Sequence, residues 1–320
     1  MESLTKPCRL FLGPVLNIGY ASKAYAQSYG EYAHVVDLPA SGGHLLRRPI
    51  PGSPLFDLAS SYPIFSCADW HGLAADIAGL ASDIVALAVV PDCFCPISEA
   101  DLRQLFRIVR PLSPHYIIDL GEPPAPSKHH RRKLRQAPSD IDIAVVADPM
   151  SMVTAWNGLY GELIRRHDIR GLRRFSPAIF AAQLQVPGAV LIAAQKDGRV
   201  LGIDWYYHNG PHVFAHLSAY SEEGYAHSVS YPMMAAGIAH FASRAEAIDI
   251  GGVPLLSSGQ TDGMGAFKAG WATRPLPSFF CGSDLLPDAY RRISGGRSSS
   301  ESEFFPHYRA SEFQAPSGSE

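Results

Sequence analysis

Charge is in short supply in this 320-residue sequence: Asp, Glu, Lys and Arg make up 18%, below the usual quarter, and the net charge is only −3. With 47% hydrophobic residues, that balance excludes a disordered, collagenous or coiled-coil chain. Cysteine is scarce too. Cys8, Cys67, Cys93, Cys95 and Cys281 are odd in number and irregularly spaced, so no disulfide framework is expected and a reducing cytoplasm fits. Cys93-Phe94-Cys95 lacks a second Cys or His pair at zinc spacing, so these thiols are expected in the core and no metal is assigned. No apolar run approaches the roughly 18 residues of a membrane helix, and no membrane partner is expected. Pro14, Asn17 and Gly19 interrupt the stretch from Leu10 to Ala21, which is expected to form a first strand and turn rather than a signal peptide. No repeat period is visible.

At about 150 residues per domain the length suggests two domains. Residues 1–127 hold 8 Lys/Arg against 12 Asp/Glu, residues 128–293 hold 17 against 14, and residues 294–320 hold 2 against 4. The basic middle comes from two clusters. One is Lys128, Arg131, Arg132, Lys133 and Arg135; the other is Arg165, Arg166, Arg170, Arg173 and Arg174 around His167. A solvated linker and an exposed helix end would explain them, as would a phosphate-rich ligand.

The first half alternates strand and helix signals. The apolar run Asp83–Val90 suits a strand buried on both faces, as does Pro114–Leu120. Ser98 with Asp101 predicts a capped helix carrying Leu102, Leu105, Phe106 and Val109. Ser66 with Asp69 opens an earlier one through Leu80. The proline-rich segment 121–127 marks a boundary, giving domains 1–125 and 126–293, with 294–302 as a flexible linker and a tail at Phe304–Arg309 that docks back. After the boundary the pattern predicts a strand at 141–147 and a helix at 151–167. A helix opening at Ser176-Pro177 follows, then three strands joined by Asp197-Gly198 and Asn209-Gly210, and a helix near 230–243. A strand at 247–250, a short helix at 262–268 and a strand near 278–281 complete it.

That order, with the segments His216–Ser221, Ile248–Gly252 and Asp262–Trp271, resembles the FemAB-like branch of the GNAT acyltransferase superfamily. The basic run at 128–135 and the segment Arg165–Gly171 resemble it as well. The resemblance covers most of 115–310 and is weaker before residue 110. It implies an α/β (α+β) architecture of two GNAT-like domains, each a mixed, largely antiparallel sheet flanked by helices. It also implies direct amide formation between an activated acyl or aminoacyl donor and an amine, without a covalent enzyme intermediate. No tightly bound cofactor is then needed; acyl-CoA or aminoacyl-tRNA would serve as co-substrate. The acceptor would be a small-molecule, peptide or sugar amine, in a cytoplasmic monomer or homodimer.

Such chemistry needs a proton acceptor for the amine, donors for the oxyanion and a proton for the leaving group. Lys268, between Phe267 and Trp271, is the first candidate, and the resemblance puts a lysine there at the reaction centre. Asp249 precedes Gly251-Gly252 at a strand end, where it would hold the acceptor amine, pair with Lys268 or cap a turn. His216 is a candidate base or a core histidine. Tyr220 and Tyr231 are candidate proton donors or packing residues. His167, Arg166, Gly251, Gly252, Trp271 and Ser218 are candidate substrate contacts, and Lys128, Arg131, Arg132 and Arg135 would hold donor phosphates. Acetyl-CoA enzymes wrap a pyrophosphate with a glycine-rich strand-to-helix loop. The matching stretch here, Ser221–Ser228, keeps one glycine and adds Glu222 and Glu223, which repel a pyrophosphate. The basic clusters would suit an RNA backbone, as in a Fem-type transfer from aminoacyl-tRNA, while the negative net charge opposes one, so acyl-CoA and aminoacyl-tRNA both stay open as donors. A binding module without chemistry, on a degenerate GNAT fold, is the other class of function.

Overall fold

The computed structural model describes residues 17–121, 125–167, 174–253, 263–301 and 304–312. Cys8, the expected first strand, and the segments 257–261 and 168–173 lie wholly or largely outside these residues. Helix α1 (Lys23–Gln27) is capped by Ser22, whose hydroxyl accepts from the Tyr25 amide. Strands β1 (His34–Leu38), β2 (Gly43–Pro49) and β3 (Phe56–Ala59) form an antiparallel meander. Helix α2 (Leu73–Ala78) leads to β4 (Ile84–Val89), the expected doubly buried strand. Ser98 and Asp101 make both bonds of a capping box at α3 (Glu99–Leu105). That helix ends before Val109, which enters β5 (Ile108–Pro111) instead; β6 (His115–Asp119) follows.

The basic run forms a helix, α4 (Lys128–Arg135), with Leu134 packed inward. Next come β7 (Asp142–Val145), α5 (Val153–His167), and α6 (Pro177–Leu184) capped by Ser176 as expected. The predicted meander is β8 (Ala189–Lys196), β9 (Arg199–Asn209) and β10 (His212–Tyr220). Its turns place Asp197, Gly198 and Gly210 at positive φ. Helices α7 (Glu222–Ala226) and α8 (Ser230–Phe241), strand β11 (Ala247–Asp249) and helix α9 (Gly263–Ala269) complete the region around the site. Strands β12 (Arg274–Leu276) and β13 (Phe279–Asp284) precede helix α10 (Pro287–Ile293).

Two mixed sheets result, in the orders β1-β2-β3-β4-β13-β5 and β12-β6-β11-β10-β9-β8-β7. Each has one parallel pair, β3 with β4 and β10 with β11, among antiparallel neighbours. The parallel pairs are equivalent. Beside each lies a strand from the other half of the chain: β13 adds to β4, and β6 adds to β11. The expected division at residue 125 is therefore corrected. β6, before that boundary, belongs to the second sheet, and β13, well after it, belongs to the first. A shared core reinforces the exchange, since Tyr20, Tyr25, Leu46 and Ile64 cluster with Trp156, Trp205, Tyr207 and Phe214. No described helix is long and apolar enough to cross a membrane.

The expectation of a flexible linker is corrected for its described residues 294–301, and the Phe304–Arg309 segment packs on the body. Ser294 and Ser299 are buried, and Phe305 stacks on Tyr290 at 5.6 Å between ring centres. Arg309 donates to the fully buried Asp57 at 2.6 Å and to the Pro49 carbonyl at 2.7 Å, while Arg48 holds the other Asp57 oxygen at 3.0 Å. A buried carboxylate without a partner is costly, so the tail is fixed where that charge is neutralised. Arg309→Ala is expected to lower the unfolding free energy in urea by about 3 kcal/mol, the low end for stripping a buried pair because Arg48 remains. Adding Asp57→Asn should restore part of the loss; a single-variant effect near zero would show that the tail contributes no stability.

Candidate functional site

The carboxyl ends of the equivalent strands β4 and β11 converge, and the chain places four chemically capable side chains there. Asp249 ends β11 and is buried. Its Oδ1 accepts from the Gly251 amide at 2.7 Å, a turn closed by the positive φ of Gly251 (75°). Its Oδ2 lies 2.7 Å from Nδ1 of His115, the first residue of β6, and 3.4 Å from Sγ of Cys93, which donates to it. Cys93 sits just beyond β4 in a turn fixed twice. The Phe94 amide donates to Asp92 Oδ1 at 2.9 Å, and the Phe94 ring stacks on His212 at 3.8 Å. Burial pushes the Asp92 carboxyl up to about 6 and, with Asp249 and Asp92 nearby, raises the Cys93 thiol far above its ordinary value.

Lys268 reaches the same place from α9. Its Nζ donates to the Gly252 carbonyl at 2.6 Å, and a Cβ at Gly251 would stand 3.3 Å from that nitrogen. The second glycine is needed for packing: a Cβ there would lie 2.9 Å from the Ser113 carbonyl. Burial pushes the Lys268 ammonium down to about 8, against the opposing pull of Asp249. An amine at that value exchanges a proton readily near neutral pH.

Helix α4 seats α9. His130 Nε2 donates to the Phe267 carbonyl at 2.9 Å, leaving Nδ1 to accept from the Ser127 hydroxyl at 2.5 Å. Its ring fills the space over Gly270, where a Cβ would collide with the imidazole. Trp271, Phe267 and Tyr231 pack edge-on or tilted around that imidazole at 5.0–5.6 Å. Trp271, expected to touch substrate, is almost wholly buried in this cluster. Tyr231, expected as a proton donor, meets His129 Nε2 at 3.2 Å. On the outer side of α4, Lys128, Arg131, Arg132 and Arg135 are all exposed or half-buried at most.

The other candidates lie apart from Lys268. His216 is enclosed by aromatic rings, with Nδ1 2.8 Å from Tyr20 Oη and Nε2 3.4 Å from Gln183 Oε1. Burial pushes it down to about 3, which fits a neutral core histidine and not the expected base. Tyr220 donates to buried Asp204 at 2.6 Å, beside Ser218, six residues along β10 from the Asp249 register and so roughly 20 Å away. Arg166 stacks its guanidinium 4.4 Å from the Tyr225 ring centre, and His167 is exposed at the end of α5. Arg166 also lines an open cavity of about 690 Å³ with Glu162, Arg165, Arg199, Ser221, Glu222 and Glu223. This is the place of the expected pyrophosphate loop, and Arg199 there is paired to Glu223 at 2.9 Å. Nothing in the sequence pattern singles out His115, and Cys93 stands out there only as half of a Cys-x-Cys pair.

Asp204 supplies a pH test of this placement. Burial raises its carboxyl from the ordinary 3.8 to about 6, against the opposing hydrogen bonds of Tyr220 and Ser218. A carboxyl harder to ionise when folded costs stability progressively as pH rises through that interval, and fully above it. Asp204→Asn should therefore gain stability relative to the parent chain between pH 4 and 7, by up to about 3 kcal/mol for a two-unit shift. Thermal unfolding across that range measures it; a constant difference would contradict the burial of an ionisable pair at Tyr220.

No protein-family profile matches the chain, and no curated protein matches it by sequence. Solved structures do match in fold. FemX superposes with a TM-score of 0.64 at 14% identity, over 85% of this chain and 93% of that one. The C-terminal domain of a putative lysylphosphatidylglycerol synthetase from Agrobacterium fabrum gives 0.58 at 13%, over 83% and 88%. A conserved protein of unknown function from Bacteroides thetaiotaomicron gives 0.50 at 12%, over 81% and 88%. With two mixed sheets, each built around one parallel pair and flanked by helices, the chain shares the fold of FemX and of that synthetase domain.

Proposed function

We propose that the chain transfers an aminoacyl group from a charged tRNA to an amine, forming an amide by direct attack. The observation that carries this reading is Lys268, a half-buried amine held on the Gly252 carbonyl where the two sheets meet, one helix away from the exposed cations Lys128, Arg131, Arg132 and Arg135 of α4. In the reaction the acceptor nitrogen attacks the ester carbonyl carbon. The C–N bond forms and the C–O bond to the terminal ribose breaks. The proton shed by the nitrogen must reach the departing ribose oxygen, and an amine with a value near 8 suits that relay. Asp249 acts as a positioning residue: it shapes the turn that presents the Gly252 carbonyl to Lys268.

A polyanionic donor is supported by charge placement. Lys128, Arg131, Arg132 and Arg135 lie on α4, the helix that seats α9. At the 690 Å³ cavity, by contrast, three glutamates stand against three arginines, so a CoA pyrophosphate would meet little net positive charge. Fold resemblance to FemX supports the same class of transferase.

Lys268→Ala is expected to reduce amide formation from aminoacyl-tRNA by about 100-fold or more, the usual contribution of a general acid or base, with tRNA affinity little changed. Undiminished turnover would remove Lys268 from the reaction. Replacing Lys128, Arg131, Arg132 and Arg135 by Gln should flatten the salt dependence of tRNA binding by about 0.7–0.9 for each phosphate no longer neutralised. If the slope stays unchanged and an acyl-CoA supports turnover instead, the donor assignment falls.

A further inference from the structure

We propose that Cys93, His115 and Asp249 form a binding site for a divalent transition-metal ion of the zinc class. The three residues come from three strand ends. Cys93 lies beyond β4, His115 opens β6 and Asp249 closes β11, so only the exchange of strands between the sheets brings them together. Their donor atoms all lie within 4.8 Å of one another. Asp249 Oδ2 stands 2.7 Å from His115 Nδ1 and 3.4 Å from Cys93 Sγ. In a tetrahedral zinc site with bonds of about 2.0–2.3 Å, the corresponding O–N and O–S edges are about 3.4 and 3.6 Å. Along the two Asp249 edges the donors need to part by less than about 1 Å to admit the ion, and the imidazole and thiol donors already lie within 4.8 Å of each other.

The outer surroundings are those of a prepared site. Oδ1 of Asp249 is tied to the Gly251 amide at 2.7 Å, which leaves Oδ2 as the oxygen turned toward the imidazole and the thiol. Ligating carboxylates are oriented by such outer bonds. The Cys93 turn is held independently by the Asp92 bond to the Phe94 amide and by the Phe94 ring on His212. Mixed sulfur, nitrogen and oxygen donors select zinc-like ions over calcium or magnesium. Charge balances as well. Binding expels the thiol proton to solvent and leaves a thiolate and a carboxylate, whose two negative charges match the 2+ of the ion, which suits a site this little exposed. With three protein ligands a coordination position stays open for water or substrate, as in catalytic rather than structural zinc sites.

Metal binding is read without reference to activity, so it stands or falls apart from the transferase reading. Titrating the full chain with Co2+ under reducing conditions should give about one equivalent of tight binding, with a thiolate-to-cobalt charge-transfer band in the near ultraviolet that Zn2+ abolishes. Cys93→Ser should remove the band. His115→Ala should weaken Zn2+ binding by more than the roughly 10–100-fold typical of losing an outer-shell partner. Cys8→Ser, Cys95→Ser and Lys268→Ala should leave the band intact. If Cys93→Ser fails to fold, His115→Ala and the three controls decide the matter. Absence of the band in the parent chain, its persistence in Cys93→Ser, or its loss in Cys8→Ser or Cys95→Ser would overturn the proposal.

Discussion

Asp249 has two carboxylate oxygens, and both are committed. One holds the amide of Gly251, while the other faces His115 and the thiol of Cys93. The first bond sets the turn whose next carbonyl receives Lys268. The second gathers a residue from the end of β4, in the other sheet, onto the end of β11. A single buried carboxylate thus joins the two sheets at the place where the only strongly depressed lysine of the described residues arrives. Burying such a group without partners would cost several kcal/mol, so its neighbours are dictated by its presence.

The two sheets explain why that place exists. Each has its parallel pair in the same position, and each is completed by an antiparallel strand from the opposite half of the chain. The carboxyl ends of parallel strands carry loops free of ladder bonds, where functional groups are readily presented. Here both such ends face one seam. The second sheet supplies Asp249, Lys268 and His115; the first supplies Cys93 and the acidic Asp92. The halves are similar in architecture and unequal in chemistry.

Local signals along the chain were legible where the physics is local. The capping box at Ser98 and Asp101, the Ser176 cap, the two glycine turns and the apolar β4 all form as the sequence implies. Asp249, the paired glycines and Lys268 were legible through a short segment resembling a known branch. What escaped is non-local. Strands β1 to β3 carry His34, Asp37, His44, Arg47 and Arg48, which obscure alternation. The exchange of β6 and β13 depends on pairings that no window can reveal. His115 lies 134 residues from Asp249 in sequence, and Cys93 lies 156 away, so nothing local linked them. His216, Tyr220, Tyr231 and Trp271 were plausible by residue type, and packing assigned them to cores and clusters instead.

The central claim is that burial on the Gly252 carbonyl turns Lys268 into an amine able to exchange protons near neutral pH. Nitrogen-detected NMR of the lysine side chains, with Lys268→Arg assigning the resonance, measures this directly. The Lys268 amine is predicted to titrate near 8, apart from the other lysines. A midpoint at the ordinary 10.5 would contradict it.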